Sequence, residues 1–371
     1  MNLAFTDEQE QLRELVRRFL EECSSEQSVR EQMSEETGFD PTIWKRMASE
    51  LGLLGLIIPE EYGGVDLGAV ELAIVMEEMG RSLLCAPYFS TAVMAATTLL
   101  EAGDEEAKKL LLPGIASGER IIAVAIEEEN GDHDLANIST SATADGGRFL
   151  LTGVKTPVID GNTADTLLVA ARTAVGLSLF IVDADAQGLS RKALPPLDLT
   201  RKLSHIELEQ VSATLLGQEG EAEEVLTRVL NMALTALAAE QTGGAQVCLE
   251  LAVQYAKDRL QFGRPIGSFQ SIKHKCADML VAAESARSAA YYAAFSAVED
   301  EAEVPVAVAM AKSKCSEAFT HNAAENVQIH GGIGFTWEDP SHLYLKRAKS
   351  SALLLGDAAY HRQKLALAIG L

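Results

Sequence analysis

A long helical pattern in the last third of the chain constrains the fold more than any other feature. Apolar residues recur at helical spacing from Val225 to Leu260, and one helix over this span is roughly 50 Å long at 1.5 Å per residue. Further helical patterns follow over about 269–298, 304–330, 341–354 and 357–369. Because long helices with short connections pack side by side, residues 218–371 are predicted to form a C-terminal four-helix bundle domain.

The periodicity changes twice before this bundle. Residues 1–118 carry helical patterns and are predicted to be an N-terminal all-helical domain. From about residue 119 the pattern changes to short apolar runs separated by turn clusters such as Asp145-Gly-Gly147. Evenly spaced short strands with no helix between them are typical of antiparallel sandwiches and barrels, so residues 119–217 are predicted to be a middle β domain of that kind. The fold class is therefore multi-domain α+β.

Composition narrows the possible partners and locations. The 371 residues carry a net charge of -23, which argues against nucleic acid or an anionic membrane as a general partner. No run is long enough to span a bilayer, and the first twenty residues lack a signal-peptide core. The five cysteines are scattered, as expected for buried thiols in a reducing compartment. We therefore expect a cytoplasmic protein. The seven histidines lack the spacing of metal ligands, so no metal site is predicted.

The long helical pattern ends at a break with the sequence Arg259-Leu-Gln-Phe-Gly-Arg-Pro-Ile-Gly-Ser-Phe-Gln270. Two local explanations apply here. Arg259 carries a cation that complements the partial negative charge at a helix C-terminus, and Gly263 has the position of a C-cap glycine that ends the helix.

The order of helical, β and helical regions, together with this break, resembles the acyl-CoA dehydrogenase family over nearly the whole chain. Further shared motifs are Leu51-Gly-Leu-Leu-Gly-Leu-Ile-Ile-Pro-Glu-Glu-Tyr-Gly-Gly64 and Gln328-Ile-His-Gly-Gly-Ile-Gly-Phe335. The resemblance implies an FAD-dependent enzyme that removes hydrogens from the α and β carbons of an acyl-CoA thioester. A base takes the α proton, and a hydride leaves the β carbon for the flavin. It also implies that an electron-transferring flavoprotein accepts the electrons.

Family members assemble as tetramers in which each FAD lies across a subunit boundary. The resemblance therefore gives Arg259 and Gly263 a role in binding this cofactor, in addition to their local roles at the end of the helix. An arginine suits the pyrophosphate because it makes charge-assisted hydrogen bonds to phosphate. Glycines let the backbone approach the cofactor closely. The FAD-contact residues that the resemblance implies are Arg259, Gln261, Phe262, Gly263, Phe269, Gln270, Gln328, Ile329, His330, Gly331 and Gly332.

The β domain departs from the family pattern in two places. Glu127 and Glu129 replace the threonine and proline of the family's Thr-Glu-Pro segment. Three adjacent carboxylates beside a flavin that accepts hydride would repel the developing charge, so residues 127–129 are predicted to form a solvated acidic loop. After Lys155 the family usually has Trp-Ile-Ser or Trp-Ile-Thr, whereas residues 157–159 here are Pro-Val-Ile. Neither the indole nor the hydroxyl that family members offer to the flavin is present.

The usual base is also replaced. Leu355 stands where many members carry the glutamate, and leucine cannot take a proton. A minority of the family place the base on the first long C-terminal helix, at a position that aligns with Ala233. Glu240 lies two turns further along the same face and is the candidate base. Its alternative role is a structural hydrogen bond or ion pair between helices. Asp357 is a second candidate, whose alternative role is to cap the final helix.

Three functions follow from the resemblance. The first is an active acyl-CoA dehydrogenase that forms a homotetramer. The second is a non-catalytic subunit of an α2β2 heterotetramer with a longer paralogue, as in some bacterial members. In that assembly the Arg259, Gln270 and Gly331-Gly332 groups complete the partner's FAD site. The third is an acyl-CoA binder without redox activity. Heteromeric relatives often act on bulky thioesters such as those of steroid acids.

Overall fold

The computed structural model describes residues 4–299 and 301–371, and the N-terminal region in it is helical. Its helices are α1 (Asp7–Cys23), α2 (Glu26–Ser34), α3 (Pro41–Ser49), α4 (Ala69–Arg81), α5 (Ala96–Glu101) and α6 (Glu105–Ala116). A π-helical segment, Phe89–Ala95, leads directly into α5. Thr6 begins α1 with a capping box, in which its hydroxyl accepts from the Gln9 N–H and its own N–H donates to the Gln9 side chain.

The middle region is a seven-stranded sheet. Its strands are β1 (Ile122–Ala125), β2 (Ser141–Asp145), β3 (Arg148–Ile159), β4 (Thr166–Arg172), β5 (Leu177–Asp183), β6 (Leu189–Ala193) and β7 (Leu203–Leu216). They run in the order β1-β4-β2-β3-β7-β5, with β6 beside β7, and a further β4–β5 pairing closes the sheet on itself.

The predicted middle β domain is confirmed, but its sheet is mixed and not antiparallel throughout. β1 pairs with β4 in parallel, with Ile122 opposite Thr166 and Ala125 opposite Val169. Parallel neighbours need a crossover connection, and here the chain between β1 and β4 supplies one that contains the β2–β3 hairpin. The strand pattern of the sequence did not distinguish this arrangement from a meander of neighbouring strands.

The C-terminal region is a helical bundle, as predicted. It contains α7 (Ala222–Asp258), a short hairpin of β8 (Leu260–Gln261) and β9 (Arg264–Pro265), and then α8 (Gln270–Glu299), α9 (Val304–His330), α10 (Ser341–Leu353) and α11 (Ala358–Ala368). Helices α8, α10 and α11 all pack against α9. At 37 residues, α7 is roughly 55 Å long.

By contact density the chain divides into two compact units that are each assembled from separate stretches. The helical unit comprises the described parts of Met1–Arg30, Ala69–Leu84 and Leu234–Leu371, and the β-containing unit comprises Glu31–Gly68 and Cys85–Ala233. Helices α1 and α4 therefore belong with the C-terminal bundle. The domain limits predicted from the sequence, at residues 118 and 217, remain a prediction.

Two glycines allow α4 and α7 to cross closely within the helical unit. A Cβ added to Gly80 would lie 2.0 Å from the Glu240 carbonyl oxygen, and one added to Gly243 would lie 1.9 Å from the Glu77 carbonyl oxygen. Such contacts are far inside van der Waals distance, so only glycine fits at either position. This crossing fixes the segment of α7 that carries Glu240. Within the described residues, no helix is long and apolar enough to cross a membrane.

Candidate functional site

The break after α7 is an exposed two-strand hairpin. The Arg259 N–H donates to the Tyr255 carbonyl at 2.8 Å, and the Ile266 N–H donates to the Arg259 carbonyl at 2.8 Å. Phe262 and Gly263 have φ values of +53° and +75°, which is the backbone of a tight hairpin turn. Gly263 is thus a turn residue of the hairpin and not the C-cap of α7, because the helix ends at Asp258.

The polar side chains of this hairpin point outward. Arg259, Gln261 and Gln270 are exposed, and Phe262 is 90% exposed. Among the described residues, none provides a carboxylate or carbonyl partner to the Arg259 guanidinium. Complementing the α7 dipole therefore leaves its hydrogen-bonding groups available. Phe269 packs against the hairpin, because the Arg264 guanidinium lies 4.2 Å from the centroid of its ring.

The second predicted segment follows α9. Gln328 is exposed, whereas Ile329 and His330 are buried. Gly331 has φ +66° and opens a short 3-10 turn, Gly331–Phe335. A Cβ added to Gly331 or Gly332 would meet no atom within 4 Å. Because neither glycine is needed for packing, their open backbone is free to approach a ligand.

The two segments are joined by a ring stack. Tyr255, in the last turn of α7, and His330, the last residue of α9, have ring centroids 4.2 Å apart at an interplanar angle of 27°. The structure thereby brings the Arg259 hairpin and the Gly331–Gly332 turn to the same end of the bundle. Tyr255 did not stand out in the sequence as part of this site.

These exposed groups fit one half of an FAD molecule. Within the described part of the chain, the Arg259 guanidinium and the amides of Gln261, Gln270 and Gln328 have no hydrogen-bond partner, and the backbone at Gly332 is open. These are groups that a pyrophosphate and an adenosine need. The predicted contacts of the buried Ile329 and His330 with FAD remain predictions.

The prediction that residues 127–129 form a solvated acidic loop is wrong for one of the three glutamates. Glu128 is 7% exposed and lies inside the β domain. Its carboxylate accepts from Lys155 Nζ at 2.8 Å, from the N–H of Ser139 at 2.8 Å and of Thr140 at 2.9 Å, and from both of their hydroxyls. Glu129 is exposed, as predicted, and Glu127 is half-buried beside His133.

The Lys155–Glu128 pair is ionic near neutral pH. Burial opposes ionisation of Glu128, but the hydrogen bonds from Lys155, Ser139 and Thr140 outweigh it and lower the pKa of the carboxyl group to about 2. Burial lowers the pKa of Lys155 to about 8, and the Glu128 carboxylate opposes that shift. Two residues after Lys155, the half-buried Pro157 lies where the β3–β7 register shifts, and it offers no hydroxyl.

In this chain, the loop that carries the base in many family members is held in place by other contacts. Leu355 is 8% exposed, with φ +57°, and its carbonyl accepts from His361 Nε2 at 2.8 Å. Asp357 caps α11, because its carboxylate accepts from the Tyr360 N–H at 2.8 Å. That hydrogen bond lowers the pKa of Asp357. A lowered pKa suits a cap, because it makes the carboxylate a weaker acceptor of a proton near neutral pH.

Glu240 lies between helices. The side chain is 3% exposed, its Oε1 accepts from Ser351 Oγ at 2.9 Å, and its Oε2 lies 3.3 Å from Arg347 Nη1. Both partners are on α10. The carboxylate therefore makes the interhelical hydrogen bond and ion pair given above as the alternative to a base, and its role as a base remains a prediction.

A buried lysine that the sequence analysis missed holds the same end of α10. Lys312 Nζ donates to Ser316 Oγ at 3.1 Å, to the Ser351 carbonyl at 3.0 Å and to the Ala352 carbonyl at 3.1 Å. Its cation stabilises the last carbonyls of α10, which have no hydrogen-bond partner within the helix. The available signal was a lysine directly after the apolar run 304–311. No cluster of three or more potential metal ligands is found in the part of the chain that the structure describes.

Comparison with known families gives three matches in succession. Models of the N-terminal, middle and C-terminal domains of acyl-CoA dehydrogenase match residues 6–119, 123–211 and 224–370, respectively. Together they span nearly the whole chain.

Similar curated proteins and solved structures agree with these matches. The chain is 35% identical over 362 residues to acyl-CoA dehydrogenase IpdE2 of Mycolicibacterium smegmatis, covering 97% of this chain and 98% of that protein. A variant of the Tcur3481–Tcur3483 steroid ACAD superposes with a TM-score of 0.90 at 34% identity, covering 98% of each chain. The ChsE4–ChsE5 complex from Mycobacterium tuberculosis gives a TM-score of 0.92 at 29% identity, covering 100% of this chain and 99% of that one.

Proposed function

Because the chain belongs to the acyl-CoA dehydrogenase family, whose enzymes are oxidoreductases that act on acyl-CoA, we propose that it works in FAD-dependent α,β-dehydrogenation of an acyl-CoA thioester. Within that activity we assign it the role of a subunit that supplies half of an FAD site to a partner chain. The observation that supports this role is a difference between two parts of the chain. The Arg259 side chain is exposed and has no partner among the described residues, and the Gly331–Gly332 turn has open space beside it, while the base position is a buried leucine, Leu355.

In this proposal each group acts by its own chemistry. Arg259 binds the pyrophosphate through charge-assisted hydrogen bonds. The amides of Gln261, Gln270 and Gln328 donate to and accept from the adenosine half, and the open backbone at Gly331 and Gly332 lets it approach. FAD, when bound, accepts the hydride that leaves the β carbon of the substrate.

The partner subunit in this proposal is a longer paralogue that carries the base and the flavin-facing β-domain residues, in an α2β2 tetramer. Electrons leave through an electron-transferring flavoprotein. The similarity to the ChsE4–ChsE5 complex, which is a complex of two named chains, supports a heteromeric assembly. We also propose a cytoplasmic location, which the free cysteines support.

A second candidate function is a self-sufficient homotetramer in which Glu240 is the base. It is favoured by one observation, a carboxylate that is 3% exposed on the first long helix of the bundle. Both oxygens of that carboxylate already have partners on α10, Ser351 Oγ at 2.9 Å and Arg347 Nη1 at 3.3 Å, which supports a structural role instead.

The Glu240→Gln variant separates these two roles. If Glu240 is structural, acyl-CoA still reduces the flavin at the wild-type rate, and the midpoint of chemical unfolding falls because Arg347 loses its anionic partner. Stopped-flow absorbance of the flavin and urea unfolding measure the two effects. A fall in the rate of flavin reduction of a hundredfold or more, without loss of bound FAD, would identify Glu240 as the base.

Co-expression tests the subunit assignment. Purified alone, the chain is expected to be flavin-poor and inactive; purified with its longer paralogue, the complex is expected to be yellow and reducible by an acyl-CoA. Butyryl-CoA and a steroid side-chain acyl-CoA serve as small and bulky substrates. A yellow homotetramer with one FAD per chain that acyl-CoA reduces would contradict the assignment. A complex that binds acyl-CoA but no FAD would instead show a non-redox binder.

A further inference from the structure

The two segments of the proposed half-site come from separate parts of the sequence. One follows the end of α7 and the other follows the end of α9, and each is an exposed turn. Helix ends fray, because their last carbonyls lack partners within the helix. The distance between Arg259 and the Gly331–Gly332 turn therefore depends on what ties these two ends together.

The Tyr255–His330 stack is a direct side-chain contact between those ends. Each ring is tied to its own segment. The Tyr255 carbonyl accepts from the Arg259 N–H at 2.8 Å, so the residue that stacks also anchors the first residue of the hairpin. His330 directly precedes Gly331 in the chain.

The His330 ring is held by a hydrogen bond from one of its nitrogens. Nδ1 lies 2.9 Å from the Asn326 carbonyl oxygen and donates to it, since a carbonyl only accepts. Nε2 lies 3.8 Å from an Asp339 carboxylate oxygen, and the other oxygen of that carboxylate accepts from the Ser341 N–H at 2.8 Å. The ring is buried, and its hydrogen bond to the Asn326 carbonyl fixes its orientation on α9.

We propose that Tyr255 and His330 are positioning residues whose ring stack fixes the spacing between Arg259 and Gly331–Gly332, so that the FAD half-site is preformed before the cofactor arrives. This inference rests on the proposed function. It changes the assignment of His330, which the family resemblance placed among the FAD contacts. A preformed site loses less free energy in ordering its groups on binding.

The test uses the full chain in the assembly in which it carries FAD. Tyr255→Leu removes the ring and is expected to weaken FAD binding about 3- to 10-fold, the effect of one aromatic pair. Tyr255→Phe keeps the ring and is expected to bind FAD within twofold of wild type. Phe5→Leu is a matched control, because it removes a ring contact with Tyr291 from the same helical unit, away from both turns. Flavin fluorescence on titration with FAD measures the affinity.

Amide hydrogen exchange without FAD gives a second readout, independent of activity. Tyr255→Leu is expected to speed exchange at residues 331–335, although the substitution lies on another helix, whereas Tyr255→Phe and Phe5→Leu leave that segment unchanged. Because the two rings act as one contact, Tyr255→Leu combined with His330→Leu is expected to weaken FAD binding no further than either single change.

The outcomes separate this inference from the proposed function. Arg259→Gln is expected to weaken FAD binding at least tenfold, since it removes the cation. If Arg259→Gln weakens binding and Tyr255→Leu does not, the half-site stands and the positioning role is wrong. Additive losses in the double variant would also overturn the positioning role. If Arg259→Gln has no effect, the proposed half-site itself is wrong.

Discussion

Lys155 is fully buried, and its ammonium group lies inside the β domain with the Glu128 carboxylate and the Ile126 carbonyl around it. The threonine, proline and indole positions of the family pattern have changed here, whereas the glutamate and lysine that stabilise each other in the interior are present. Their role is structural, so it does not depend on whether this chain's own β domain faces a flavin.

Glu128→Gln is expected to lower the free energy of unfolding by about 3 kcal/mol, because it leaves the Lys155 cation buried without its anion. Urea unfolding followed by circular dichroism measures the change. Glu129→Gln is the matched control: that side chain is exposed, so a change under about 0.5 kcal/mol is expected. Equal effects of the two substitutions would contradict a buried ion pair.

The same carboxylate predicts an acid dependence. The pKa of Glu128 is about 2 in the folded protein, below its ordinary value of 4.5, so the unfolded chain binds more protons between these values. Stability from this group is complete above about pH 4.5 and is lost as the pH falls toward 2. The stability difference between wild type and Glu128→Gln should therefore shrink as the pH is lowered from 5 to 3. A difference that stays constant would exclude this linkage.

The sequence could not identify this interior pair. Glu127, Glu128 and Glu129 are adjacent and chemically identical, and only the backbone after β1 determines which one faces Lys155. For Leu355, the sequence alone shows that the residue cannot act as a base, but it does not show how the loop around it is folded. The contacts that fold its loop, from His361 and from the cap at Asp357, required coordinates.

At the scale of elements, the crossing of α4 and α7 and the turn after α9 use glycine in opposite ways. Gly80 and Gly243 are needed because another backbone occupies the space where a side chain would be, whereas Gly332 faces open space. Sequence patterns predicted the bundle helices α7 to α11 closely, because periodicity is local, but they gave no helix for α2. They did not separate packing glycines from ligand-facing ones, because that depends on what lies opposite.

Gly243→Ala is therefore expected to destabilise the protein by about 3 kcal/mol, through a clash with the Glu77 carbonyl that α4 relieves only by moving. Gly332→Ala is expected to leave the melting temperature within 2 °C of wild type, at roughly 0.5 kcal/mol or less, and to lower the FAD retained on purification. Calorimetry and flavin absorbance measure the two effects. A stable Gly243→Ala protein would show that the crossing is looser than described.

The whole molecule is built from stretches that are distant in the sequence. Helix α4 packs on α8, and Arg13 of α1 donates to the Tyr291 hydroxyl of α8 at 2.9 Å. The order of helical, β and helical regions was predictable, since each pattern is local. The grouping of α1 and α4 with residues 234–371 was not, because no local pattern records a contact between residues so far apart.

A fragment of residues 1–118 tests this grouping. Without α7 and α8, helices α1 and α4 lose the surfaces on which they pack, so the fragment is expected to unfold without a cooperative transition. Circular dichroism during urea titration, with the full chain as reference, measures this. A sharp transition together with slow amide exchange in α4 would show instead that the N-terminal region is an independent domain.

The outward-facing hairpin also has a consequence for handling and for cell physiology. The exposed Phe262 ring and the Arg259 cation, which has no partner among the described residues, form the surface that a second chain covers in the proposed assembly. Cofactor retention then follows mass action between subunits and becomes a function of protein concentration. In the proposed assembly, dilution alone would strip the flavin, and a cell that produced this chain in excess over the proposed partner would gain protein without gaining holoenzyme.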